Sequence, residues 1–321
     1  MKRRVCLVYT KLSTFVDLDC RILSEAFDVV RVAYRGKRDL WRLARAVRAC
    51  DISLSWFASG HAAASVSLSR LFGKRSVVIV AGWDVAAMPE IPYGAMLSPK
   101  TRRRTTATLE RADCVLAVSE ANRKEALQWV DREIRVVPLG VDTSFFGPGG
   151  AKEETVTTVA SVTHEPIIRT KGLDIFLQVA RRLPEVPFSV VGRHAPECEA
   201  ILRSLAPHNV AIVGWLEWEG LRSTFRRTMV YAQLSAHESF GLALAEAMAC
   251  ECRPVVSDCG SLPELVGPSG HVTPYGDVDA ATEAVRAALK EGGSPEARER
   301  IAHTYPIEAR REQLLGILET L

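Results

Sequence analysis

Glu238 and Glu246 flank the stretch Ser239-Phe240-Gly241-Leu242-Ala243-Leu244-Ala245, with a β-branched and aromatic run before it and an alanine- and leucine-rich run after it. Gly241 falls where a strand would give way to a helix, a position at which a residue without Cβ lets a ligand approach the backbone. The free N–H groups of Phe240, Gly241 and Leu242, at the positive end of the helix dipole, suit a diphosphate. Glu246 would lie about 7 Å further along at 1.5 Å per residue. A carboxylate there can accept hydrogen bonds from the two hydroxyls of a ribose, a pairing that dinucleotide sites also use. Glu238, ahead of the helix, would reach a group beyond the phosphates. On spacing alone the alternative is a tight strand-to-helix turn with both carboxylates solvated.

Other residues at strand ends qualify by position. Gly214 and Trp215, with Leu216, follow an apolar run and would border a base. His61, Gly82 and Asp84 follow two strand-like runs in the first half, and Tyr93-Gly94 lies in a loop beyond them. The alternative for His61 is a helix cap or a packed core histidine.

The elements that must hold these residues alternate. Strands are expected at 5–9, 29–33, 52–56, 76–80, 114–118 and 135–138, with helical periodicity at 39–49, 62–71 and 121–130. After the turn-rich Gly147-Pro148-Gly149-Gly150 the alternation resumes. Strands are expected at 155–161, 188–191, 210–213, 230–234, 254–257 and 271–273. Helices are expected at 173–182, 198–205, 219–227, 242–250, 262–266 and 278–290, and a last one at 307–321. Such alternation implies α/β architecture: two Rossmann-like, doubly wound parallel-sheet domains facing across a cleft, with ligands at the carboxyl ends of the strands. The expected domains are residues 1–146 and 151–305, with residues 306–321 as a C-terminal helix returning to the first domain.

Composition fits this reading. The chain has 321 residues, 47% hydrophobic and 25% charged, enough to bury two cores. No apolar run reaches the roughly 18–20 residues that cross a bilayer, and the basic start with its brief apolar stretch reads as a first buried strand. Eight scattered cysteines, with no CxxC pair, read as reduced thiols of a cytoplasmic protein. The net charge of +3 conceals an imbalance: residues 1–150 carry 24 Lys+Arg against 15 Asp+Glu, and the remainder 17 against 23. The basic first half suits peripheral contact with an anionic membrane face or an acidic acceptor, the alternative being a solvated face. No nucleic-acid-binding module accompanies the charge. Asp277-x-Asp279 reads as a helix cap, not a metal site.

Glu238 and Glu246 match the E-x7-E motif of glycosyltransferase family 4, and the surrounding residues 238–249, ESFGLALAEAMA, resemble that family too. So do Arg253-Pro254-Val255-Val256-Ser257 and Gly260-Ser261-Leu262-Pro263-Glu264-Leu265. In the first half, Val137-Pro138-Leu139-Gly140-Val141-Asp142 with Phe146 resembles the family's "NGVD…F" segment, with Leu139 in place of the asparagine. Lys171-Gly172-Leu173-Asp174 resembles its "KG-x-D" helix start.

The resemblance implies the GT-B fold and a retaining glycosyltransferase. It would move a hexose or related sugar from a nucleotide-diphosphate sugar to a glycan or lipid-linked acceptor, with no metal or other cofactor. It assigns donor phosphate to Lys171 and, because Pro166 replaces the usual arginine, makes Arg169 the second phosphate partner. It assigns donor-sugar hydroxyls to Glu238 and ribose to Glu246. Two cations facing a diphosphate suit a leaving group that gains charge. Where the family carries a glycine-rich first loop and a histidine after the fourth strand, this chain has residues 10–17 without glycine, and Trp83. Asp84 is then the candidate replacement contact to the sugar, with His61 and Gly82 beside it on the acceptor side. The alternatives are a non-catalytic nucleotide-sugar-binding subunit, or another GT-B enzyme such as a nucleotide-sugar epimerase.

Overall fold

A computed structural model describes residues 2–321. The chain divides into two compact units, Met1–Leu139 with Glu308–Leu321, and Gly140–Ile307. Each is built on a six-stranded sheet in which every strand pair is parallel.

In the first unit the strands are β1 (Arg4–Tyr9), β2 (Asp28–Ala33), β3 (Ile52–Trp56), β4 (Arg75–Val80), β5 (Cys114–Ala117) and β6 (Arg135–Val136), in the spatial order β2-β1-β3-β4-β5-β6. These strands are covered on both faces, so β1, β4 and β5 are largely apolar runs, while β3 alternates and buries Ser53 and Ser55 among its apolar residues. Val5 lies opposite both Val29 and Ile52, and all five residues of β3 are buried. The strand order reverses between β1 and β3.

The second unit contains β7 (Glu153–Val159), β8 (Phe188–Val191), β9 (Val210–Val213), β10 (Thr228–Gln233), β11 (Arg253–Ser257) and β12 (His271–Thr273), in the order β12-β11-β10-β7-β8-β9. This is the 3-2-1-4-5-6 arrangement of dinucleotide-binding sheets, and its order reverses between β7 and β10. The Leu173–Arg182 and Val278–Glu291 helices bury Phe176, Val179, Val285 and Ala288 against Val156, Val190, Val230 and Val255. Asp277 caps the second of these helices by accepting from the Ala280 N–H at 2.9 Å.

The unit boundary falls earlier than the turn-rich stretch. Phe146 packs its ring 6.1 Å from Trp218 and 6.2 Å from Phe225, and so belongs to the second core. At the other end, the Ile307–Thr320 helix joins the first unit from Glu308 onward. Its Arg310 forms a two-bond ion pair with Asp19, both contacts 2.7 Å. Arg310 also donates to the carbonyls of Val137 and Pro138 and lies 5.5 Å over the Trp56 ring. The Trp56 indole N–H donates to the same carboxylate at 3.1 Å. Both ionic side chains are essentially without solvent contact.

Four helices lie outside those expected from periodicity: Thr14–Ala26, Pro99–Arg111, the short Pro166–Thr170 and Pro295–Thr304. No helix among the described residues is long and apolar enough to cross a membrane.

Candidate active site

Ligands of open parallel sheets bind where the strand order reverses, at the carboxyl ends of the two strands concerned. In the second unit these strands are β7 and β10. The segment after β7 carries Lys171, and the segment after β10 carries Glu238. The two meet: Lys171 Nζ donates to Glu238 Oε2 at 2.7 Å, with both side chains largely shielded. Gln233, the last residue of β10, donates its amide to the same oxygen at 2.5 Å.

Two glycines make the meeting possible. Gly172 has φ +62°, and a Cβ there would stand 1.7 Å from the Leu234 carbonyl oxygen. Only glycine lets the start of the Leu173–Arg182 helix press against the end of β10 and bring Lys171 alongside Glu238. Gly260 has φ +58°, and a Cβ there would stand 2.1 Å from the Glu238 carbonyl oxygen. The same oxygen accepts from the Ser261 N–H at 3.0 Å and from its hydroxyl at 3.2 Å. The Gly260-Ser261 turn therefore holds the Glu238 backbone in place, a positioning role that the motif match alone does not disclose.

Gly241 caps the Leu242–Ala249 helix in the left-handed conformation, φ +92° and ψ +48°. The Phe240 side chain is buried against Tyr305, 5.6 Å between ring centroids, so only its backbone is placed to serve a ligand. Glu246 follows on this helix. The residue is partly accessible, but its carboxyl is packed round with protein atoms, and burial raises its pKa to about 8. No protein hydrogen bond offsets that burial.

The remaining candidates separate. Gly214 and Trp215 follow β9, and Trp215 is 46% exposed. Arg193, after β8, places its guanidinium 5.0 Å over the Trp215 ring. Sequence reasoning passed over Arg193, whose one local signal is its place after Gly192 at a strand end. Arg169 is exposed on the last turn of the Pro166–Thr170 helix, where its charge acts on Asp174 and Tyr275.

In the first unit two expectations are corrected. Asp84 is fully buried and turned inward: one oxygen accepts from the Ala58 N–H at 2.7 Å, the other from the Ala81 N–H at 3.1 Å. Burial lifts its pKa to about 6 against the pull of those bonds. It ties the loops after β3 and β4 together and is not presented to a sugar. His61 is 2% exposed, bonded through Nε2 to the Trp56 carbonyl at 2.6 Å and through Nδ1 to Ser59 Oγ at 2.8 Å, with its pKa lowered by burial. It is a packed residue of the helix start. The Gly82 carbonyl accepts from the N–H groups of Val85 and Ala86, and the neighbouring Trp83 is 46% exposed.

Two Rossmann-like units, the second with a cation–carboxylate pair at its switch point, place a ligand site at the carboxyl ends of β7 and β10, and comparison with known proteins bears on this directly. Residues 151–304 match the family described as glycosyl transferases group 1, and residues 21–145 match glycosyltransferase family 4. The fold is GT-B: the Anabaena HepE structure in complex with UDP and glucose superposes with a TM-score of 0.82 at 16% identity, covering 99% of this chain and 100% of that one. The chain belongs to glycosyltransferase family 4.

Among curated relatives, the alpha-maltose-1-phosphate synthase of Mycolicibacterium smegmatis is 29% identical over 210 residues, 57% of this chain and 53% of that protein. The lipopolysaccharide core biosynthesis mannosyltransferase LpcC of Rhizobium leguminosarum bv. viciae is 26% identical over 239 residues, 66% of this chain and 65% of that protein. The chain thus spans less than two thirds of the length of these relatives.

Proposed function

We propose that this protein is a retaining hexosyltransferase that takes a nucleotide-diphosphate sugar as donor and a glycan or lipid-linked hydroxyl as acceptor, in the synthesis of a cell-surface polysaccharide or glycolipid. The observation that carries the reading is the Lys171–Glu238 pair at 2.7 Å, delivered by the two strands at which the sheet order reverses. The LpcC relative, a mannosyltransferase of lipopolysaccharide core synthesis by name, supports the acceptor class, and the UDP and glucose bound to HepE support the donor class.

The family resemblance, with the chemistry of the groups, supports the following roles. Glu246 accepts from the ribose hydroxyls. Lys171 leaves Glu238 for the donor diphosphate when donor binds, with Arg169 as the second cation and the amides of Phe240, Gly241 and Leu242 completing the cradle. Glu238, released, accepts from the hydroxyls of the donor sugar. Gly214 and Trp215 border the base.

In the transfer step the bond from the sugar C1 to the phosphate oxygen breaks and its electron pair leaves with the diphosphate. The acceptor oxygen bonds to C1 on the same face, and its proton passes to the departing phosphate oxygen. The protein stabilises the growing phosphate charge and positions the reactants, so neither a metal nor a dedicated base is required. We place the enzyme in the cytoplasm, peripheral to the inner membrane face, and the eight free thiols support a reducing compartment.

The test is thermal stabilisation of wild type and Glu246→Ala by UDP, GDP and ADP and their sugar conjugates. Ligand that binds only the folded state must raise Tm. One nucleotide should shift the wild type and leave the variant unshifted. No shift of wild type by any nucleotide at millimolar concentration would overturn the reading. Binding without transfer to any acceptor would make the chain a nucleotide-sugar-binding subunit.

A further inference from the structure

The first unit presents at one place everything needed to grip an anionic lipid surface. Between residues 31 and 48 the sequence carries seven Lys and Arg against a single acid, Asp39. In the fold this segment is the end of edge strand β2, a short turn of helix at Lys37–Asp39, and the Leu40–Ala49 helix. All seven cations are exposed. Asp39 is spent on its own neighbours: one oxygen accepts from the Arg35 backbone N–H at 2.7 Å, and the other lies 3.8 Å from Arg42. It leaves the field of the patch positive.

Within this patch an open pocket of about 520 Å³ is lined by Arg35, Gly36, Lys37, Arg38 and Asp39. Directly beside it Leu40 is 43% exposed and Trp41 65% exposed, while Leu43, Ala46 and Val47 on the opposite face of the helix are buried in the unit. An aromatic and a leucine held out to solvent are anomalous in a water-facing helix that has a buried face of its own. Next to a cationic pocket they have the composition of an interfacial anchor: the indole sits at headgroup depth and the cations meet lipid phosphate. The strands being parallel, the element after β2 lies on the carboxyl edge of the sheet, the edge that also exposes Leu12 after β1 and Trp83 after β4. Of the exposed large apolar side chains of the first unit, Leu12, Leu40, Trp41 and Trp83 lie towards this edge, and Leu71, at the end of the Gly60–Leu71 helix, lies at the other.

We propose that the Arg35–Trp41 segment is a docking site for an anionic phospholipid bilayer. Leu40 and Trp41 enter the interface, and the pocket of Arg35, Lys37 and Arg38 receives a phosphate headgroup. This deepens the functional reading above, in which a lipid-linked acceptor is met at a membrane.

The experiment is co-sedimentation of the full chain with vesicles of phosphatidylcholine alone or with 30% phosphatidylglycerol, at low and high salt. Nucleotide binding is measured on the same preparations. The wild type should bind the anionic vesicles at low salt and release at high salt. At about 1 kcal/mol per cation near the surface, Arg35→Ser with Arg38→Ser should weaken partitioning roughly 30-fold. Leu40→Ser with Trp41→Ser should weaken it about tenfold at unchanged charge, through loss of buried apolar area. Arg70→Ser with Arg111→Ser, which remove the same charge from helix ends at the other edge of the sheet, should leave it within about twofold.

Retained nucleotide binding in all variants shows that each is folded. Absence of binding to anionic vesicles at low salt, or equal losses in the control and the patch variants, would overturn the docking site while leaving the donor reading intact. Lipid binding by a chain that binds no nucleotide would do the reverse.

Discussion

Replacing Glu246 by glutamine should stabilise the protein and impair it at once. In the unfolded chain this carboxyl titrates near 4.5, and in the folded protein burial raises it to about 8. The folded state thus holds its proton more tightly than the unfolded state does. Stability associated with the group is complete below pH 4.5 and is lost as pH rises through the window from 4.5 to 8. A difference of one pKa unit corresponds to about 1.4 kcal/mol. Allowing for the part of the residue that solvent still reaches, the loss by pH 7 is about 2–3 kcal/mol.

Glutamine has nearly the same shape and no charge to bury. Urea denaturation of wild type and Glu246→Gln without ligand, at pH 5 and at pH 8, should show near-equal stability at the lower pH. At the higher pH the variant should lead by about 2–4 kcal/mol. The same variant should lose most nucleotide affinity, because an amide cannot accept from two ribose hydroxyls as a carboxylate does. Parallel pH profiles for the two proteins would refute the argument, since they would mean that Glu246 is as well solvated when folded as when unfolded.

The other expectations are more compact. Nucleotide affinity should rise about tenfold from pH 7 to pH 9, as the free protein's Glu246 ionises, and calorimetry in buffers of differing ionisation enthalpy should register the released proton. Lys171→Ala should lower kcat/KM about 10²–10³-fold by removing charge stabilisation from the leaving diphosphate, as steady-state kinetics with the identified donor would show. Gly172→Ala should cost more than about 1 kcal/mol in urea denaturation and lower donor affinity too, because its Cβ would collide with the Leu234 carbonyl and shift the backbone that carries Lys171. Asp19→Ala should destabilise the chain by about 3–5 kcal/mol by stranding the Arg310 guanidinium, and Asp19→Leu with Arg310→Met should recover much of that, again by urea denaturation.

The strands were legible because parallel strands buried on both faces are short runs rich in apolar and β-branched residues bounded by turn residues, and the positions expected for all twelve overlap those observed. Helices were legible where an apolar stripe was clean, as at Leu173–Arg182 and Leu262–Val266. The Thr14–Ala26 helix escaped because a charged residue, Asp19, interrupts its buried face, and the partner that makes this burial tolerable is Arg310, 291 positions away. The Pro99–Arg111 helix escaped because Lys100 and Arg102–Arg104 disguise it as a basic surface stretch.

At the site, spacing and the family motif pointed to Glu238, Glu246 and Lys171. The pairing of Lys171 with Glu238 across 67 positions is a product of topology, invisible to local pattern. His61 and Asp84 misled for the converse reason. Each sits where a ligand residue would, but His61 is satisfied by its near neighbours Trp56 and Ser59, and Asp84 partly by the Ala58 N–H, 26 positions away, which no local sequence can encode.

The Asp19–Arg310 pair also bears on how the protein is made. The first unit is not finished until residues 308–321 are in hand, and on a ribosome these emerge after the whole of the second unit. The usual order of completion, amino-terminal domain first, is thus inverted here. The later-encoded unit is contiguous and can close on itself, while the earlier one waits with Asp19 and Trp56 facing a gap in its wall. Until Arg310 arrives, the Asp19 carboxylate has no cation to pair with, and the unit's closing helix is still to be made.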